Sequence, residues 1–312
     1  TSAGMEAVLQ RLRPSVVLSM GYRPKFHLDG FRIARRMKVP IILRAETTDH
    51  AVARHWLKRR LRDLLLRRHY AQCAALLPIG RLSRAHYARL GVPERKLFFS
   101  PYCVDTAPFE ASEAARDQWR GRVRAEIGAS AETLVLGYFG KLSARKAPGL
   151  ILEAVRRLPA DLRRRCLILV VWDGELRQSL VQAAAAEPVV QMRAVGFQNQ
   201  KALSRWYHAC DGVVMPSLHG ETWGLVVNEA LHHGVPALVS GAVGCGPDLI
   251  EAGRTGEVVE TGSASSLAEA IGRLVSYTGG EDVRVACRAK VAEYSVAAAA
   301  EGIARAYREV LS

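Results

Sequence analysis

Between residues 134 and 259, apolar runs of strand length alternate with stretches of helical period. The strand-like runs are LVLGYF, LILVV, VVQMRAV, GVVMP and PALVS, and helical patterns fall between them at 149–157, 175–186 and 201–209. Such alternation, with short turns, predicts a parallel sheet covered by helices on both faces. Ligands of such sheets bind outside the C-terminal ends of the strands.

The first part, residues 1–108, carries the same pattern more thinly. Its strand candidates are SVVLSM, PIILRA, ALLPI and the short LFFS. These are few for a whole domain of this class, so the chain is expected to open partway into its first domain. Residues 109–133 are polar, charged and rich in Ala, and read as a linker or short helix between domains. Residues 134–295 form the second domain. The tail, 296–312, reads as a final helix with Ile303, Tyr307 and Val310 on one face, able to pack back on the first domain.

Residues 54–68, RHWLKRRLRDLLLRR, are dense in Lys and Arg with a single Asp. Trp56, Leu57, Leu61, Leu64 and Leu65 recur there at helical spacing. The segment is a basic amphipathic helix that either docks on an anionic membrane surface or packs its apolar stripe on its own core; both readings stand at this point.

Composition narrows the class. The 312 residues are 49% hydrophobic and 24% charged, a globular balance. No apolar run approaches the roughly 18 residues of a membrane span, and the start lacks a signal pattern. Cysteines stand at 73, 103, 166, 210, 245 and 287 without a CxxC pair. That favours reduced core thiols in the cytoplasm over disulfides or a zinc site. A net charge of +14 implies an anionic partner: nucleic acid, acidic lipid or a phosphorylated ligand. Specific nucleic-acid recognition is disfavoured, because the basic helix is not interleaved with stacking aromatics and no recognition module is present.

The densest chemical signal is PSLHGETWGLVVNEALHHGVPALVS, residues 216–240. It predicts a loop, a helix opening near Gly224, and a buried strand. The amides of Gly224, Leu225 and Val226 would be the unsatisfied donors of the first helical turn, a site for an anion such as a diphosphate. Glu221 lies just before the helix and Glu229 about one turn inside it. Two carboxylates beside phosphate are repelled by it, and are better suited to accept hydrogen bonds from hydroxyls. Diphosphate plus hydroxyls describes a nucleotide sugar. The plain alternative, an ordinary amphipathic helix, would suffice for two glutamates alone.

A second loop, GYFGKLSARK, follows the first strand of the second half. Gly140 permits a tight turn, and Lys141 and Lys146 supply cations for phosphate oxygens. The GxxxxGK[ST] and GxGxxG fingerprints are absent. Asp173-Gly174-Glu175 reads as a turn into a helix. The loop 196–199, with Phe197, could offer an apolar face to a base. His232 and His233 read as helix-surface residues, whereas His219 could reach the cleft.

Taken together, GYFGKLSARKAP, VVWDGELRQSL, VGFQNQKALSRWYHACDGVVMPS and ETWGLVVNEALHHGVPALVS resemble, in order and spacing, the retaining glycosyltransferases of family 4. GVPERKLFFSPYCVDTAPF is similar to the family's exit from its N-terminal domain. The resemblance implies the GT-B fold: α/β, two Rossmann-like parallel-sheet domains facing a cleft, here with the first domain truncated. It implies a glycosyltransferase that moves a sugar, with retention, from a UDP- or GDP-sugar to a glycan, lipid-linked or small-molecule acceptor. No metal and no cofactor beyond the donor co-substrate are implied.

By the same resemblance Glu229 would bind the ribose and Glu221 the transferred sugar. Gly224, Leu225 and Val226 would hold the diphosphate with Lys141, Lys146 and Gly140, and Phe197 would sit at the base. Glu221, Lys146 and Lys141 are the catalytic candidates. Arg44 and Glu46, where many members carry a His, are the acceptor-side candidates. Lys141 stands where the family often has Arg, Trp172 where it has a second Gly, and Asp248 where it has Glu. The alternative is a non-catalytic or truncated relative that binds only nucleotide or an anionic surface.

Overall fold

The computed structural model of the chain describes residues 4–50, 55–187 and 189–312. It divides into two units, Thr1–Cys103 with Tyr294–Ser312, and Val104–Glu293.

The first unit holds a parallel sheet of β1 (Val17–Ser19), β2 (Ile41–Arg44) and β3 (Ala75–Leu77), in that order. Along a strand successive side chains point to opposite faces. Ile41 and Leu43 therefore join Phe31, Leu66, Tyr70, Leu76 and Tyr87 on one side, while Ile42 joins Ala75, Leu77 and Ala306 on the other. Both faces are covered, which is why these strands read as unbroken apolar runs. The second face is closed by the helix Val296–Leu311. Gly302 makes that closure possible, since a Cβ there would lie 2.0 Å from the carbonyl oxygen of Phe99.

Two expectations change here. The run LFFS is not a strand of the sheet. It follows β3 with Phe98 N–H donating to Leu76 O (3.0 Å), but β3 ends at Leu77 and the next residue, Pro78, has no N–H to continue a ladder. The basic helix spans Trp56–Ala71, with Arg54 outside the described residues. Its buried side chains are Leu66 and Tyr70, while the leucine stripe at 57, 61, 64 and 65 is exposed. The stripe does not pack on the first unit's core.

The second unit is a six-stranded parallel sheet in the order β6-β5-β4-β7-β8-β9. Its strands are β4 (Leu134–Phe139), β5 (Cys166–Val171), β6 (Gln191–Gly196), β7 (Gly212–Met215), β8 (Ala237–Ser240) and β9 (Gly256–Val259). From β4 the chain winds outward through β5 to β6, then returns to the other side of β4 and winds through β7 to β9. The reversal lies between the neighbours β4 and β7, so a crevice opens at their C-terminal ends.

Residues 109–133, read as a linker or short helix between domains, hold a helix and belong to this unit. Ser112 caps the helix Glu113–Ile127 by accepting from Ala115 N–H at 3.1 Å, and Gly128 ends it at φ 77°. Val123 and Ile127 pack in the core. Arg124 and Arg120 reach the carboxylate of Asp211 at the foot of β7, which also accepts from Val135 N–H of β4 at 2.7 Å. The segment's polarity comes from arginines that are consumed inside the fold.

Candidate active site

The loop leaving β4 and the loop leaving β7 meet over the switch point. Leu218 N–H donates to Arg145 O at 2.9 Å. Arg145 Nη1 donates to the carbonyls of His219 (3.3 Å) and Gly220 (3.2 Å) and lies 3.4 Å from Glu221 Oε2. Lys146 ion-pairs directly with the same oxygen, and Ser217 Oγ stands 3.5 Å from it. Glu221 and Lys146 are 75 positions apart in sequence, and their side chains are only 14% and 16% exposed. Lys141 is exposed on the same loop and, among the described residues, makes no ion pair.

The β7 loop is fixed from behind. Gly244 N–H donates to Glu221 O (3.1 Å) and Cys245 N–H to Trp223 O (3.0 Å), while the buried Trp223 indole donates to Asn228 Oδ1 (2.8 Å). Gly224 then opens the helix Leu225–His232 at φ 107°. That left-handed backbone suits glycine. A Cβ there would also meet Val243 Cγ1 at 2.9 Å and Met215 Sδ at 3.0 Å. No side chain caps this terminus, so its first-turn amides keep the partial positive charge that attracts an anion.

Glu229 sits one turn along the helix. Tyr207 Oη donates to its Oε2 at 2.6 Å. Burial raises the Glu229 carboxyl above its ordinary value, and the tyrosine bond pulls it partly back. Tyr207 is itself clamped, stacked on Phe139 of β4 (4.0 Å between centroids) and on His233 (4.8 Å). His233 is therefore no surface residue. It is fully buried: its Nδ1 donates to Glu229 O (2.7 Å) and its Nε2 accepts from Ser204 Oγ (2.9 Å). Burial pushes its pKa down to about 3. His219 is exposed, and His232 is half-buried with its ring edge-on to that of His233 at 5.7 Å.

Phe197 follows β6 and is 61% exposed, with the Trp172 ring edge-on at 4.8 Å. Trp172 adopts φ 149°, backbone that glycine takes freely and tryptophan does not. Next to it the Asp173-Gly174 turn supports the β4 loop: Leu142 N–H donates to Asp173 O and Leu176 N–H to Leu142 O, both at 3.1 Å. Gly174 lets the two backbones touch, since a Cβ would lie 2.5 Å from Leu142 O. Asp248 is buried on the short helix Gly246–Leu249 after β8.

Arg44 and Glu46 belong to the other unit, at the end of β2. Arg44 Nη2 donates to Pro101 O at 2.9 Å, and Tyr102 Oη donates to Glu46 Oε1 at 2.5 Å. With Met20, Ala45 and Ile79 they line a cavity of about 180 Å³.

The second unit thus brings Lys146 and Arg145 onto Glu221, with Gly224, Leu225, Val226 and Glu229 on the helix that follows and Gly140 and Lys141 on the loop leaving β4. Sequence reasoning missed Arg145, Ser217, Tyr207 and His233. Arg145 had a signal, a third cation in a phosphate-type loop. Tyr207 had none, since a tyrosine at helical spacing reads as core. Among the described residues no group of His, Cys, Asp and Glu could hold a metal ion.

The family model for glycosyl transferases group 1 matches residues 120–306. The chain belongs to that family. Among its relatives, the D-inositol 3-phosphate glycosyltransferase of a Nocardioides species is 34% identical over 177 residues, 51% of this chain and 38% of the relative. That of Actinosynnema mirum is 32% identical over 193 residues, 59% of this chain and 44% of the relative. The chain spans less than half the length of either. Solved structures similar over nearly the whole chain include HepE of Anabaena with UDP (TM-score 0.77, 19% identity, 98% of this chain, 81% of that one). Sucrose-phosphate synthase of Thermosynechococcus elongatus is another (TM-score 0.72, 18% identity, 99% and 77%). The fold is that of the GT-B glycosyltransferases, two parallel-sheet units of Rossmann type.

Proposed function

We propose that the chain is a metal-independent retaining glycosyltransferase, taking a sugar from a nucleoside-diphosphate donor to a hydroxyl on a glycan, lipid-linked or small-molecule acceptor. The observation that carries this is the meeting of Lys146 with Glu221 beneath an uncapped helix start, with Glu229 one turn further in. Cations and amides suit the diphosphate, and the carboxylates suit hydroxyls. The first-turn amides of Gly224 to Val226 and the ammonium groups of Lys141 and Lys146 would meet the diphosphate oxygens. Tyr207 holds Glu229 Oε2 and leaves Oε1 to accept from the ribose hydroxyls. Glu221, pinned by Lys146 and Arg145, would accept from the sugar hydroxyls while keeping both cations aimed at the phosphate. Phe197 and Trp172 would present a ring platform to the base.

As the bond from the anomeric carbon to the diphosphate oxygen breaks, charge builds on the leaving oxygen. Preorganised cations and helix amides stabilise that charge more than the ground state. The acceptor hydroxyl then attacks from the face the diphosphate leaves, and its proton departs with the diphosphate. Arg44 and Glu46 are the acceptor-side candidates. Six free cysteines, five of them buried, fit a reducing cytoplasmic setting. HepE structures hold UDP, UDP with glucose, or UDP-glucose, which supports a uridine donor here.

The reading is tested by incubating the protein with UDP- and GDP-sugars and an acceptor library in EDTA, following nucleotide release and the product's anomeric configuration by NMR. Turnover with retention is expected. Nucleotide binding without turnover would favour a non-catalytic relative, and turnover abolished by EDTA would contradict metal independence.

A further inference from the structure

The helix Trp56–Ala71 has two faces, and the fold uses one. Leu66 and Tyr70 are buried in the first unit's core, and His69 lies against Phe31 with ring centroids 4.1 Å apart. Arg62 and Asp63 on the same side join an ion-pair cluster with Asp49 and Arg89. At about 100° per residue these positions share one arc. The opposite arc carries Leu57, Leu61, Leu64 and Leu65, exposed by 55%, 62%, 49% and 57%. Spacings of four, seven and eight residues make one stripe. An inward-facing stripe has the same spacing; here it faces out. Trp56, 56% exposed, stands at the head of the helix with the Arg60 guanidinium 5.3 Å over its ring. Arg60 and Arg67 border the stripe on one side, Lys58 on the other, and Arg68 lies within it; all four are exposed. The helix's one acid, Asp63, is on the inner arc.

We propose that this outer face is a docking surface for a bilayer bearing anionic lipids. Four exposed leucines on one arc need an apolar cover, and the cations around them need an anionic one. A membrane interface supplies both at the same depth: leucine side chains enter the acyl boundary while Lys and Arg extend to lipid phosphates. A second copy of the chain would bring the same cations against themselves and be repelled. Nucleic acid would meet the cations but leave the leucines wet, with one aromatic for stacking. No helix among the described residues is long and apolar enough to cross a membrane, so the contact is one of lying on the surface. This goes beyond the donor reading and does not rest on it.

The test is co-sedimentation of the full-length protein with phosphatidylcholine vesicles, with and without phosphatidylglycerol. It compares the wild type with two triple variants, Leu61→Gln/Leu64→Gln/Leu65→Gln and Lys58→Glu/Arg60→Glu/Arg67→Glu. Circular dichroism and a cooperative urea transition confirm that both variants fold. The wild type is expected to pellet with the phosphatidylglycerol vesicles only, less so at high salt, and each variant to lose about tenfold or more in binding. Failure of the wild type to bind these vesicles, or binding that the glutamine variant leaves intact, would overturn the proposal. So would a dimer in sedimentation equilibrium that the glutamine variant abolishes, or binding of duplex DNA in place of vesicles.

Discussion

Trp172 shows how a single position can depart from a family pattern while the backbone keeps it. The family resemblance leads to an expectation of glycine at this position, and φ here is 149°, backbone that glycine takes freely. Holding a side chain in such a region costs about 1–3 kcal/mol, against which the edge-on contact with Phe197 returns about 0.5–1.5 kcal/mol. Removing the side chain without relieving the backbone should be worse than doing both. Trp172→Gly is expected to be more stable than Trp172→Ala by about 1–3 kcal/mol in urea denaturation; equal stabilities would mean that the backbone is not strained there. Because both variants lose the ring platform, neither is expected to bind nucleotide as well as the wild type. Glu229 makes a related point at the same scale. Its chemistry depends on Tyr207, which depends on Phe139 and His233, so a donor-site carboxylate is set by residues from three elements.

Among elements, the helix Leu225–His232 is anchored at its C-terminal end by His233, which spans Glu229 O and Ser204 Oγ in the neutral form. Its folded pKa of about 3 lies below the ordinary histidine value. A group depressed in the fold stabilises fully above its unfolded pKa, near 6.5, and that contribution drains away as pH falls from there toward 3, because only the unfolded chain takes the proton. One such group costs about 1.4 kcal/mol per pH unit, or about 2 kcal/mol between pH 6.5 and 5. Urea denaturation at pH 7.5 and pH 5 should show this loss. In His233→Gln, which can still donate and accept, the loss should shrink by about that amount; an unchanged pH dependence would refute the assignment. His86 and His208 are depressed in the same direction, by burial first, so a residual slope is expected.

The elements also show what was legible in the chain. The helix at 149–157 has the bounds its apolar period gives, and the helix opening at Gly224 stands where the loop-to-helix pattern puts it. Long apolar runs bounded by glycine and proline carry their own secondary structure. That the helix Glu113–Ile127 packs into the second unit could not be read, because its arginines serve Asp211, a partner about ninety positions away. LFFS failed as a strand because a proline directly follows its neighbour. The outward leucine stripe could not be told from an inward one, since periodicity gives spacing and not direction. The carboxylates and lysines of the site were visible as motifs. Arg145 carried a signal as a third cation in its loop, but Tyr207 and His233 carried none, because their roles arise only when two helices meet β4.

Across the whole molecule, the excess of basic residues is divided among three destinations. Some arginines are spent inside the fold, at Asp211 and at Asp49 and Asp63. Others face solvent along the helix Trp56–Ala71, and a small set, Lys141, Arg145 and Lys146, lies on the loop leaving β4, where Arg145 and Lys146 reach Glu221. The account stands or falls on that last set. Isothermal titration calorimetry of UDP and GDP into the wild type, Lys146→Ala and Glu229→Ala tests it most directly. One molecule of UDP or GDP is expected to bind per chain, and each substitution to weaken binding about tenfold to a hundredfold, as losing a hydrogen bond to a charged group does. Absence of binding by either nucleotide to a folded wild type, or binding that neither substitution changes, would contradict the account.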